Sequence, residues 1–446
     1  MKIKSDILVI GSGPAGLISA STARRYYPSK KVVIVTKTDP SIIPCGIPYM
    51  FSSLSSPDDN LCAVEGLKKK GTDFYIDEIK QVLPDKKEAV GENTYSYEKL
   101  VLATGSKPLR PPIKGIDKEG VFFVYKEMHY LKNMIEQLKS WRNVLIIGGG
   151  FIGVELADEL SKHKHLHIFL VEAQEEVLSN SFDKEFSLLA RDKLVSEGVE
   201  IITGDAVSEI AGEKKAEHVH LQSGRTLDVD AVIVGIGAVP NTGLAEKAGI
   251  DLGRGKGIWV DEYMRTSVKD IFAVGDCAGK RDFFTRRDCH VMLASTATAE
   301  ARVAGANLYQ LKIVRENKGT IAIFSTYVNG LVLGSAGLTE KTAKQEGFDV
   351  VVGQAEGVDR HPASLPGASK IKVKLIFSRH SGIILGGQVS GGASCGELIN
   401  IIGLAIQKRV SFSELETFQM ATHPYLTSAP TMYSLVLAAQ NAGDNF

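Results

Sequence analysis

A chain of 446 residues exceeds one ordinary core, and at roughly 150 residues per domain it predicts about three domains. Its 52 basic and 52 acidic residues cancel, which argues against nucleic acid and anionic membranes as partners, and no apolar run approaches the ~20 residues of a membrane span. The cysteines, Cys45, Cys62, Cys277, Cys289 and Cys395, form no CxxC pair, no zinc spacing and no disulfide framework. Their odd count fits a reducing compartment, and the N-terminus has no signal-peptide layout, so a soluble cytoplasmic protein is expected.

In chain order, the apolar run Ile7–Ile10 predicts a short strand, followed at once by Gly11-Ser12-Gly13-Pro14-Ala15-Gly16 and an apolar helix pattern. Glycines at this spacing permit a tight turn, close approach of a pyrophosphate and close helix packing, with phosphates held at the helix N-terminus. A second strand, Val32–Val35, ends at Thr36-Lys37, where an acidic residue for a ribose would be expected; the threonine hydroxyl can still bond a ribose. Just beyond lies Ser41-Ile42-Ile43-Pro44-Cys45-Gly46-Ile47-Pro48-Tyr49. Pro48 reads as an early helical position, which puts Cys45 at or just before a helix N-terminus, a place that favours the thiolate. A polar loop, Ser52 to Asn60, then leads to a strand at Phe74–Ile76. The buried strand Lys99–Leu102 runs into Ala103-Thr104-Gly105, and Pro108, Pro111 and Pro112 suggest a linker.

A second fingerprint, Gly148-Gly149-Gly150-Phe151-Ile152-Gly153, follows the strand Val144–Ile147 and opens the helix Val154–Ser161. The next strand, His167–Val171, ends at Glu172, 19 residues after Gly153. Its carboxylate suits the two hydroxyls of an unphosphorylated ribose and repels a 2′-phosphate, so NADH is favoured over NADPH. A hairpin (Val219–Leu221 and Leu227–Val229) and the strand Ala231–Val234 precede Gly237, where the chain returns from this second unit. The strand from Asp270 then ends in Gly275-Asp276; the aspartate can accept bonds from the hydroxyls of a flavin's ribityl chain, or cap a helix. Cys277 and Cys289 read as structural. Strands at Thr326–Ser335, Lys370–Phe377 and Gly382–Val389 and a helix at Glu397–Gln407 mark a different C-terminal texture. It closes on a loop holding His423, Tyr425 and several hydroxyls.

Together, the two fingerprints, Ala103-Thr104-Gly105, Gly275-Asp276 and the Cys45 segment resemble the FAD-dependent pyridine nucleotide–disulfide oxidoreductases over essentially the whole chain. The similarity is closest to the single-cysteine branch: coenzyme A disulfide reductases, persulfide or sulfur reductases, NADH oxidases and NADH peroxidases. The two-cysteine branch has a CxxxxC pair, but here Met50 stands five residues after Cys45, so Cys45 works alone. The resemblance implies an α/β fold with two Rossmann-like nucleotide-binding domains and a C-terminal α+β dimerisation domain. The FAD domain would span 1–112 and 243–319, the NAD domain 113–242 and the dimerisation domain 320–446. It also implies a homodimer whose partner subunit completes the active site. FAD would lie on Gly11, Gly13, Pro14, Ala15, Gly16, Thr36, Lys37, Ala103, Thr104, Gly105, Gly275 and Asp276. NADH would lie on Gly148, Gly150, Phe151, Ile152, Gly153, Glu155, Glu172 and Gly237. Phe151 matches the aromatic position that shields the flavin until nicotinamide arrives, and Glu155 a carboxylate near the nicotinamide.

The acceptor is read from departures. Pro14 stands where peroxidases and water-forming oxidases carry a His, which argues against efficient peroxide reduction. Leu365 and His423 stand where coenzyme A disulfide reductases carry tyrosines, although Tyr425 is close. The pair His423-Pro424 is similar to the partner-subunit His-Pro of the two-cysteine branch, without its glutamate; Ser428 lies near that place. The expected activity is NADH-dependent reduction of a low-molecular-weight disulfide, persulfide or polysulfide through Cys45, with His423 as proton donor. The alternative is an NADH oxidase that reduces oxygen to hydrogen peroxide.

Overall fold

A computed structural model describes residues 1–38, 40–314 and 319–446. The chain divides into two compact units: Met1–Arg110 with Phe123–Ser140 and Gly237–Thr320, and Pro111–Phe122 with Trp141–Ile236 and Ile321–Phe446.

The first unit is built on a five-stranded parallel sheet in the order Ile271–Ala273, Lys99–Leu102, Ile7–Ile10, Val32–Thr36, Thr72–Ile76. Its central strands are apolar on both faces because both are covered. Alternate residues point oppositely, so Ile7, Val9, Val32, Ile34 and Val101 meet the helices Pro14–Tyr26 and Ala294–Ala306. Leu8, Ile10, Val33, Val35, Leu100 and Leu102 face a second layer containing Val82, Ala89 and Tyr95. That layer is a four-stranded sheet (Lys2–Lys4, Thr94–Ser96, Glu88–Val90, Gln81–Leu83) whose three-residue strands carry too little periodicity to be seen in the sequence. The two helices approach closely at Gly305, where a Cβ would crowd Ser19 O at 2.7 Å.

The second unit holds two sheets. One has the order Val121–Phe123, Ala231–Val234, Asn143–Ile147, His167–Glu172, Glu200–Thr203, and the last four of these strands pair parallel. The other is antiparallel: Ile323–Val328, Leu331–Gly337, Ile384–Gly391, Lys370–Ser378, Val350–Val358. The stretch Thr326–Ser335 is therefore a hairpin, turned at Asn329-Gly330 with φ 38 and 92°. Helices Cys395–Lys408 and Ser434–Gly443 pack on this sheet. Among the described residues no helix is long and apolar enough to cross a membrane.

Candidate active site

The first glycine turn has the backbone its sequence demands. Gly11 takes φ +111°, and a Cβ on it would strike the Ala103 carbonyl oxygen. Gly16 packs on Gly11 O, whereas nothing stands within 4 Å of a Cβ built on Gly13. Gly13 is the N-cap of the helix Pro14–Tyr26, and no side chain caps that end. The turn thus offers an open backbone cradle at a thirteen-residue helix N-terminus, which fits a dinucleotide pyrophosphate.

Around it the structure gathers the other expected residues of this unit. Gly275, at φ +75°, lies against the Cβ of Ala15. Ala103 N–H donates to Ile10 O at 2.9 Å, and Thr104 Oγ1 donates to Asn241 O at 2.7 Å. Thr36 Oγ1 accepts from Ser12 Oγ at 2.8 Å, while Ser12 also pairs with Ser41 Oγ. Ser12, inside the glycine turn, therefore ties that turn both to Thr36 and to the start of the cysteine segment; Lys37 beside Thr36 is exposed. Gly237 falls in this unit, its carbonyl accepting from Leu109 N–H at 3.0 Å.

Asp276 does not cap a helix. It lies inside the short turn Gly275–Cys277, and its Oδ2 accepts from Ser106 Oγ at 2.7 Å and Lys126 Nζ at 2.8 Å. Burial alone would raise its pKa, but Lys126, Ser106 and Lys280 together hold the carboxyl below the usual range. Behind it the buried Lys280 Nζ donates to Glu300 Oε2 at 3.0 Å, and the same oxygen accepts from Gly275 N–H at 2.9 Å. Lys126, Ser106, Lys280 and Glu300 were not foreseen; Lys126 is 150 residues from Asp276, and no local pattern links them.

Cys45 sits in a 3₁₀ turn, Pro44–Gly46, directly before a second one, Pro48–Phe51. The expected helix N-terminus is thus two tight turns, too short to add much of a helix field at the thiol. The polar segment folds back beneath it: Asn60, 3 % exposed, donates through Nδ2 to Ile43 O at 3.0 Å. A Cβ on Gly46 would collide with Asn60 Oδ1. Cys45 itself is exposed, and Met50 is buried. The other thiols are less accessible: burial raises the pKa of Cys62, Cys277 and Cys289, and pushes Cys395 up to about 12. Cys277 Sγ lies within hydrogen-bond distance of Leu102 O and Val274 O, in keeping with a structural residue.

In the second unit the glycine turn repeats this logic. Gly148 takes φ +104°, Gly153 packs on Gly148 O, and Gly150, the N-cap of helix Phe151–Ser161, has open space beside it. Glu172 Oε2 accepts from Gly149 N–H at 2.6 Å and Oε1 from Gln174 N–H at 2.8 Å, so its carboxylate borders the turn. Phe151 stacks on Phe324, and Glu155 Oε1 accepts from Thr326 Oγ1 at 2.8 Å. Ile152 is half-buried beside them.

Burial, reinforced by Asp158 and Glu159, outweighs the Thr326 bond and raises the Glu155 carboxyl to about 7. The folded form then binds its proton more tightly than the unfolded form, whose ordinary value is 4.5, so this group's contribution to stability falls as pH rises from 4.5 to about 7. Glu155→Gln keeps an acceptor for Thr326 and removes the buried charge. It should stabilise the protein by roughly 1–3 kcal/mol at pH 8. Melting temperatures across pH will show that gain vanish towards pH 5.

His423 lies in an exposed loop. Its Nδ1 accepts from Tyr425 N–H at 3.3 Å, which leaves Nε2 as the protonated nitrogen of the neutral ring. Ser428 Oγ donates to Val358 O at 2.7 Å and so does not take the missing glutamate's part. The loop is pinned by His361, whose N–H donates to Pro424 O at 3.0 Å, and Arg360 lies over the Tyr425 ring at 5.6 Å.

Comparison with known proteins places the chain in a family. The sequence model of the pyridine nucleotide-disulphide oxidoreductases matches residues 5–301, and that of the same family's dimerisation domain residues 323–433. The chain belongs to this family and is an NAD(P)H-dependent flavin oxidoreductase. It is 32% identical to an NADH oxidase of Methanocaldococcus jannaschii over 98% of each chain. It is also 32% identical to the NAD(P)H coenzyme A polysulfide/persulfide reductase of Pyrococcus horikoshii, covering 87% of this chain and 88% of that one. Among solved structures, an NAD-dependent persulfide reductase from A. fulgidus superimposes with a TM-score of 0.90 at 28% identity, covering all of this chain and 83% of the other.

Proposed function

We propose that this protein uses NADH to reduce a low-molecular-weight disulfide, persulfide or polysulfide of the coenzyme A type, with Cys45 as the single nucleophile. The observation that carries this is accessibility: of five cysteines, only Cys45 is exposed, in a segment joined to the first glycine turn through Ser41 and Ser12. Relatives named for both persulfide reduction and NADH oxidation support the reading and its alternative.

The first glycine turn, Thr36, Ala103–Gly105 and Gly275–Asp276 would hold FAD, which when bound supplies two-electron transfer between NADH and sulfur. The second glycine turn would hold NADH, with Glu172 on the adenine ribose. The Cys45 thiolate attacks one sulfur of the acceptor; a new S–S bond forms, the acceptor's S–S bond breaks, and the departing thiolate takes a proton. His423, supplied by the partner subunit of a homodimer, is the donor: it gives the proton from its imidazolium form and returns to the neutral ring. The dimerisation domain supports that arrangement. The odd cysteine count favours a reducing, cytoplasmic setting.

Anaerobic NADH consumption with coenzyme A persulfide tests the reading. Turnover without oxygen sustains it; NADH loss that starts only on admitting air, with hydrogen peroxide formed, replaces it with the oxidase reading.

Coenzyme choice provides a second check. Glu172 opposes a 2′-phosphate by charge, so Glu172→Ala should narrow the NADH-over-NADPH ratio of kcat/KM by about tenfold, equivalent to ~1.4 kcal/mol. An unchanged ratio would remove Glu172 from the ribose site.

A further inference from the structure

Phe151 and Glu155 lie one turn apart on the helix Phe151–Ser161 and so share a face. That face rests on the edge strand Ile323–Val328 of the antiparallel sheet. Strand alternation turns Phe324 and Thr326 to the same side, with Thr326 buried and Ser325 and Tyr327 exposed. The registers match: two helix residues four apart meet two strand residues two apart. The Phe151 and Phe324 rings stack with centroids 4.9 Å apart and planes at 21°. Phe182 leans on the Phe151 ring at 6.1 Å and 60°. Thr326 Oγ1 donates to Glu155 Oε1 at 2.8 Å. On the opposite side of the strand, Ile323 packs against Gly403 of the helix Cys395–Lys408, so the strand is held from both faces.

We propose that Phe324 is a positioning residue for coenzyme entry: it holds the Phe151 ring in its resting place, and the nicotinamide must break the Phe151–Phe324 stack to bind. Thr326 fixes the helix beneath while Phe324 fixes the ring above it. The inference rests on the reading of Phe151 as the shielding aromatic. A stack of this geometry corresponds to about a 2- to 12-fold factor in an equilibrium, and that factor opposes nicotinamide binding.

Calorimetry on the FAD-loaded protein separates the nicotinamide half from the rest of the coenzyme, using NAD⁺ and ADP-ribose as probes. In Phe324→Leu, NAD⁺ should bind about 2- to 12-fold tighter while ADP-ribose, which has no nicotinamide, binds as in the native protein. Phe324→Tyr keeps a ring and should behave as native; Phe324→Met serves if the leucine variant does not fold. A residue with only a structural part would change both ligands together. If Phe151→Ala tightens NAD⁺ relative to ADP-ribose but Phe324→Leu and Phe324→Met do not, the positioning role is overturned while the shield stands. If Phe151→Ala leaves the ratio unchanged, the shield reading falls and the proposal with it.

Discussion

Cys45→Ser should cut anaerobic turnover with a persulfide or disulfide acceptor by about a thousandfold or more, at unchanged flavin content. The size follows from what remains. A serine hydroxyl cannot reach the anionic, polarisable state from which sulfur is attacked, and no other thiol can stand in. Cys277 and Cys395 are buried, the latter with its pKa pushed up to about 12, and burial raises Cys62 and Cys289 as well. Rapid-mixing and steady-state assays at matched flavin content read the effect directly. Acceptor turnover that survives in Cys45→Ser would remove the thiol from the mechanism. Oxygen-dependent NADH loss in the same variant reports a route that needs no cysteine and should persist.

Which parts of this enzyme could be read from sequence follows the range of the forces involved. Glycine turns are local: Gly11 and Gly148 need positive φ, and Gly16 and Gly153 need close packing, so their spacing alone foretold the backbone of both turns. Strands such as Ile7–Ile10 and Asn143–Ile147 announced themselves as short apolar runs because they are buried on both faces. The helix Ala294–Ala306 gave no such signal, since it packs through alanines and Gly305 and not through a stripe of large residues. Asn329-Gly330 was a strong hairpin signal inside Thr326–Ser335, and reading it would have separated the two strands. The partners of Asp276 and of Glu155 were out of reach: Lys126 on Asp276 and Thr326 on Glu155 are joined across 150 and 171 residues. Cys45 was placed correctly in the chain, yet its neighbourhood is a pair of 3₁₀ turns braced by Asn60 and not a helix start.

The largest expected effect on stability lies in the second unit, at Lys374. This side chain is buried on the strand Lys370–Ser378, and its Nζ stands 2.9 Å from Asp183 Oδ2, 2.6 Å from Glu185 Oε1 and 2.8 Å from Glu340 Oε2. Asp183 also accepts from Gln388 Nε2 at 2.6 Å, and its backbone N–H donates to Gln388 Oε1 at 2.8 Å. The network joins the segment before helix Lys184–Ser196 to the antiparallel sheet and to the helix Glu340–Gln345. Burial alone would lower the lysine's pKa, but the three carboxylates reverse it and raise it above 10.5. That stabilisation is complete below the unfolded value and is lost only as pH rises through the folded one, so it is constant near neutrality. Glu340 has the opposite dependence: burial opposes ionisation, Lys344 and Lys374 overcome it, and the lowered pKa gives a contribution lost as pH falls below about 4.5. Lys374→Met preserves the length of the side chain but removes the cation that Asp183, Glu185 and Glu340 share, leaving Glu340 with Lys344. It should destabilise the protein by about 3–5 kcal/mol at pH 7, because a buried charge stripped of its partner costs more than the pair contributes. Protonating the carboxylates relieves this, so the gap in melting temperature between native and variant should narrow towards pH 4. A variant as stable as the native protein at pH 7 would show that the sheet and the helix Lys184–Ser196 are held by packing and not by this ion network.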